Sequence, residues 1–209
     1  MDPGVPDVAF DRWWHAMRDV AATRATSLAW RQHRYKFAHR LGRALTADPP
    51  LTGPAVYGVW LQWGLLYVGQ TLEAERRLRD LAIGESHHLA NTYPPEIWHH
   101  VVVVSWPQLP EAARVLDALS PKAIGEGLEH RLQEALEPLA NASRRTSDGQ
   151  WRDVDWKTSR SLGARTGKQL DDLFAAVLDV WNTAASSTNG ENVPSSSRIV
   201  FPSQLLSDV

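Results

Sequence analysis

Four consecutive valines, Val101–Val104, follow His99 and His100 and lead to Trp106. β-Branched side chains are stiff at χ1 and sit well on a pleated surface. A strand with one wet face alternates apolar and polar residues, so an unbroken apolar run predicts a central strand covered on both faces. The rest of the chain must supply both covers. At 209 residues, 43% of them hydrophobic and 22% charged, it can bury such a core without staples. There are no cysteines, which excludes disulfides, thiol catalysis and thiolate-bound zinc. This suits a reducing, intracellular setting, and the cytoplasm is the expected location. No basic-then-apolar leader is read at Met1–Phe10, and no apolar run approaches the roughly 20 residues that span a bilayer; no membrane partner is expected.

Apolar positions at helical spacing (Trp14, Met17, Leu28, Phe37, Leu41, Leu45) predict one long helix or two from Val8 to Leu45, stopped by Asp48-Pro49-Pro50. Ala55–Leu61 and Leu65–Val68 are β-prone runs around Gln62-Trp63-Gly64, which predicts a hairpin. Thr71 is a fitting N-cap for a helix that runs to Ile83 and stops at Gly84. Further helices are predicted from Pro110-Glu111 to Leu119, from Ser120-Pro121 to Pro138, and from Leu170 to Trp181. The stretch from Ala184 to Ser197 is small and polar and reads as disordered. The expected fold is α+β: a small sheet of three mostly antiparallel strands flanked by helices. Its expected parts are a helical N-terminal extension (1–50), a core (51–142), a basic segment with a C-terminal helix (143–183) and a flexible tail (184–209).

A net charge of −2 argues against an indiscriminate polyanion binder, but the charge is uneven. Bases dominate from Arg12 to Arg43 and again from Arg144 to Lys168, while acids gather between Glu111 and Glu137. Arg34, Lys36 and Arg40 stand beside Tyr35 and Phe37; Arg152, Lys157 and Arg160 stand beside Trp156. Cations interleaved with aromatics suit contacts to a phosphate backbone, and such contacts are largely indifferent to base sequence. Such stretches are usually solvated faces; with Arg76, Arg144 and Arg145, these are the bases expected to contact DNA if a nuclease lies between them. His99 and His100, ahead of a buried strand, are expected to be structural.

Along the core lie, in order, Tyr57, Tyr67, Arg77, Glu129 and Asn141. Ala55-Val56-Tyr57 and, ten residues on from Tyr57, Tyr67-Val68-Gly69 with Gln70-Thr71 form a paired pattern; Arg77 follows Tyr67 by another ten, and Asn141 follows Glu129 by twelve. In arrangement and spacing this resembles the GIY-YIG nucleases, and in particular the N-terminal nuclease domain of bacterial excision-repair incision proteins. The resemblance spans roughly Gly53 to Asn141. It departs at Ala55 and Val56, where the name has Gly and Ile, and at Leu81, where several members have His or Tyr.

The resemblance implies a GIY-YIG fold and an endonuclease that hydrolyses DNA phosphodiester bonds with Mg²⁺ or Mn²⁺. Glu129 then looks like the metal-binding carboxylate and Arg77 like the phosphate-binding arginine. Tyr57 and Tyr67 look like the tyrosines of the site, one assisting deprotonation of the attacking water. Asn141 looks like the supporting asparagine, and His87 or His88 like a proton acceptor or phosphate ligand in the following loop. The chemistry agrees with these residue types. A divalent cation offsets charge on the phosphoryl oxygens, one carboxylate plus waters is a common protein share of a Mg²⁺ shell, and a guanidinium clamps phosphate through two N–H bonds. A compact chain of this kind is expected to act alone, as a restriction, defence or mobile-element nuclease, and as a homodimer if it cuts both strands of a palindrome. The rival readings are an idle DNA-binding module of the same fold and an RNA nuclease.

Overall fold

The computed structural model describes residues 11–12, 14–19, 28–84, 89–141, 144–155 and 157–206. Residues 11–12 and 14–19 are helical. Helix α1 spans Leu28–Thr46, strand β1 Ala55–Leu61, strand β2 Gly64–Thr71 and helix α2 Ala74–Ile83. Strand β3 is His100–Val104 and helix α3 Pro121–Leu136. Helix α4 (Leu162–Gly167), helix α5 (Asp171–Ser186), strand β4 (Ser197–Val200) and helix α6 (Pro202–Leu206) follow in an α+β fold that also has short helices at Leu89–Thr92 and Ala112–Leu116.

The sheet runs β2-β1-β3-β4, every pair antiparallel. It has four strands rather than the expected three, because part of the expected flexible tail forms β4 and pairs Val200 with Val101 and Ser197 with Val104. Its composition hid it: Ser197-Arg198-Ile199-Val200 is too short to show a period.

β3 is buried at all five positions. Val101 and Val103 face one cluster with Phe37, Leu41 and Leu45 of α1 and Leu78 and Leu81 of α2. Val102 and Val104 face another, with Ile124, Leu128 and Leu132 of α3 and Leu173, Val177 and Trp181 of α5. The unalternating valine run thus follows from helices on both faces of the sheet. Each large side chain so covered contributes about 1.5–3 kcal/mol.

Local signals set the helix ends. Gly84 takes the left-handed conformation (φ 86°) at the end of α2, where glycine has no Cβ penalty. Ser120 Oγ accepts from the Ala123 N–H at 3.3 Å and starts α3. Thr71 acts differently from the expected cap: its Oγ1 accepts from the Glu73 N–H at 3.0 Å, closing a turn two residues short of α2, whose N-cap position is Glu73. No helix among the described residues is long and apolar enough to cross a membrane.

Candidate active site

Tyr57 lies mid-strand on β1, opposite Gly69 of β2, and is completely buried. A Cβ at position 69 would lie 2.7 Å from Tyr57 Cζ and Oη and from Tyr67 Cε1, so only glycine lets the two phenols converge over the strand. Their ring centroids are 6.1 Å apart. Arg77, on the inner side of α2, donates from Nε to Tyr57 Oη at 3.3 Å. The Tyr57 and Tyr67 hydroxyls also hydrogen-bond one another.

Glu129 comes from the opposite layer. α3 passes the outer edge of β2, and the Gln133 amide, one turn beyond Glu129, donates to Glu129 Oε1 at 3.1 Å and reaches the Val68 carbonyl at 3.5 Å. Burial, then the charge of Glu126 one turn earlier, push the Glu129 carboxyl up to about 7, against a smaller downward pull from Arg77. Burial also raises both tyrosines; Arg77 pulls them down and Glu129 pushes them up. Tyr57, Tyr67, Arg77 and Glu129 therefore share one electrostatic environment at the junction of β1, β2, α2 and α3.

Asn141 closes the back of this site. Beyond α3, Glu137 is left-handed (φ 44°) and the chain returns along β2: Leu139 N–H donates to the Leu65 carbonyl at 3.1 Å and Ala140 N–H to the Leu66 carbonyl at 2.7 Å. The Asn141 side chain continues the ladder, accepting from the Val68 N–H at 3.0 Å and donating to its carbonyl at 2.9 Å. A buried edge that would otherwise leave the Val68 N–H unsatisfied is thereby completed.

A divalent cation fits this donor set in one respect. Glu126 and Glu129 repel one another in the middle of α3, and a bound cation relieves that repulsion. Among the described residues there is no group of three or more His, Asp or Glu able to hold a metal ion, so Glu129 would act with waters. His87 and His88 lie outside the described residues, as does Trp156.

The expected DNA-contacting bases divide. Lys36, Arg40, Arg152, Lys157 and Arg160 are exposed. Arg76 is exposed and paired with Glu73 at 2.6 Å and with Asp80 at 4.0 Å. Arg34 turns inward, to Glu96 at 3.2 Å and the Ala90 carbonyl at 3.4 Å. Arg144 is buried, donating to His130 Nδ1 at 2.7 Å and to Glu134 Oε1 at 3.3 Å. Arginine only donates, so His130 accepts at Nδ1 and presents its Nε2–H to Glu134 at 3.1 Å. Arg145 donates to the carbonyls of Gly149, Glu137 and Pro138 and lies over the Trp151 ring. Arg144 and Arg145 thus anchor the 144–152 turn to the end of α3; a run of bases in sequence carries no sign of which ones fold inward.

Gln133, Glu126 and Gly69 were not singled out as site residues by sequence reasoning. The helical i+4 and i−3 offsets from Glu129 mark the first two; the third is recognisable only once the hairpin register pairs it with Tyr57. Comparison with protein-family models, with curated proteins and with solved structures found no match.

Proposed function

We propose that this chain is a divalent-cation-dependent endonuclease of the GIY-YIG kind that hydrolyses DNA phosphodiester bonds, a stand-alone enzyme of restriction, defence or mobile-element type. The observation that supports it is the convergence of a tyrosine pair, a guanidinium and a carboxyl from four separate elements, with Arg77 pulling the proton affinity of the other three down and Glu129 pushing that of both tyrosines up. A core would not select this set for stability, since burying ionisable groups costs free energy unless they are paired.

In this reading Arg77 binds the scissile phosphate and holds Tyr57 beside it. Tyr57 can take a proton from an attacking water only as its phenolate, after its own proton has left to solvent; Arg77 favours that form, against the larger effect of burial, and Tyr67 stands beside it. Glu129 is the carboxylate that holds the cation, and Gln133 fixes the rotamer of that carboxylate. The cation, when bound, would offset the charge that develops on the phosphoryl and leaving oxygens. Asn141 keeps β2, and so Tyr67, in register with β1.

Supercoiled plasmid incubated with Mg²⁺ tests the proposal. Wild type converts it to nicked or linear product, and Glu129→Ala lowers the rate about 100-fold or more. Arg77→Lys falls nearly as far, because an ammonium does not match two parallel N–H bonds. Binding without cleavage under every divalent cation tried would instead support an idle DNA-binding module, and preferential cleavage of RNA an RNA nuclease.

A further inference from the structure

α1 has no acidic residue along its 19 residues. Phe37, Leu41 and Leu45 face the core, while Tyr35, Lys36, His39, Arg40 and Arg43 are exposed. Tyr35 keeps about half its surface in water (52%) and stands edge-on to His39, ring centroids 4.4 Å apart and planes at 70°. Nothing in the core requires an aromatic ring there.

α1 and α2 touch at Gly42, where a Cβ would lie 3.0 Å from Arg79 Cα and 3.1 Å from its carbonyl oxygen. Beside this crossing is an open cleft of about 390 Å³, lined by Tyr35, His39, Arg43, Arg79, Asp80 and Ile83. That volume is within the roughly 300–1,000 Å³ of small-ligand sites. One wall is aromatic and the rim is cationic. Arg43 has no side-chain hydrogen bond or ion pair among the described residues. Arg79 pairs with Glu75 at 2.9 Å, both side chains about half exposed, and such a pair yields readily to a phosphate. The single acid of the cleft, Asp80, has Arg76 at 4.0 Å.

We propose that this cleft seats one unpaired nucleotide of a DNA strand, its base against Tyr35 and its phosphate between Arg43 and Arg79. An aromatic face and two guanidinium groups suit a base and its phosphate, and a duplex cannot use them because its base faces are already stacked on one another. α2 joins the cleft to the candidate active site: Arg77 turns inward to Tyr57, and Arg79, about 3 Å further along the helix axis, turns outward. The substrate class is then DNA with a single-stranded segment rather than continuous duplex. That DNA is the occupant rests on the proposed function.

The test is fluorescence anisotropy of the full chain with labelled oligothymidine about 12 nucleotides long, without divalent cation so that the strand survives. Tyr35→Ala weakens binding about tenfold, Tyr35→Phe restores it, and a duplex of equal length is bound alike by all three. Arg43→Gln lowers the slope of log affinity against log salt by about 0.7, as loss of one single-strand phosphate contact requires. Unchanged affinity of Tyr35→Ala for the oligothymidine, an equal loss on duplex, or tighter binding of oligouridine than oligothymidine would overturn the proposal. Plasmid cleavage is scored separately. Cleavage with no role for Tyr35 in binding removes the cleft and leaves the nuclease; Tyr35-dependent binding with no cleavage under any cation does the reverse.

Discussion

Glu129 occupies surroundings that oppose its own charge, with burial and Glu126 outweighing Arg77. A carboxyl raised from 4.5 to about 7 holds its proton more tightly folded than unfolded. The stability it contributes is complete below the unfolded value of 4.5 and disappears as pH rises through about 7. Metal-free wild type should therefore lose Tm relative to Glu129→Gln across this window, since the amide has no charge to gain. Adding Mg²⁺ above the window should raise the Tm of wild type and leave that of Glu129→Gln where it was. Calorimetry on both proteins at pH values either side of the window checks this, and a Tm difference indifferent to pH would refute the assigned surroundings. The residue type and spacing of Glu129 were legible in the sequence. Its altered proton affinity was not, because it depends on what α3 packs against.

Among the elements, β2 depends most on a single side chain. It is an edge strand, and its outer ladder is completed by residues 139–141 rather than by another strand. Asn141→Ala should orphan the buried Val68 N–H at a cost of about 1–3 kcal/mol; the Val68 carbonyl keeps its longer contact with Gln133. Urea unfolding would show this loss, and plasmid cleavage should fall alongside it because Tyr67 sits next to Val68. A variant as stable as wild type would mean that Asn141 does not complete the ladder. The sequence resemblance picked out Asn141 as a support. What it supports, the backbone of the strand between the site tyrosine and the site glycine, follows from the left-handed turn at Glu137 that sends the chain back along β2.

At the scale of the molecule, the C-terminal residues close the sheet. β4 covers the open side of β3, Ile199 and Val200 enter the two separate core clusters, and Arg198 bonds to the carbonyls of Ala44 and Pro49 at the end of α1. Cutting the chain after Ser186 would leave a valine-rich edge with unpaired N–H and C=O groups, a template for intermolecular pairing. The truncated protein should elute as aggregate in size-exclusion chromatography and lose its cooperative thermal transition. A monomeric, cooperatively folding product would mean that these residues are dispensable, as a flexible tail is.

Periodicity and punctuation in the sequence alone determined much of the local architecture. The valine run required two covered faces, Ser120-Pro121 and Gly84 set helix ends, and the hairpin around Gln62 and Trp63 put two tyrosines on neighbouring strands. These signals are short-range, set by backbone sterics and the spacing of apolar side chains. Tertiary structure decided the rest: that α3 brings Glu129 over the edge of β2 from the far layer, that Arg34 and Arg144 turn inward while Lys36 and Arg43 stay out, and that a polar tail ends in a strand. Each of these is a choice of partner between residues distant along the chain. It is made by competition for buried surface and for hydrogen bonds, which no local pattern records.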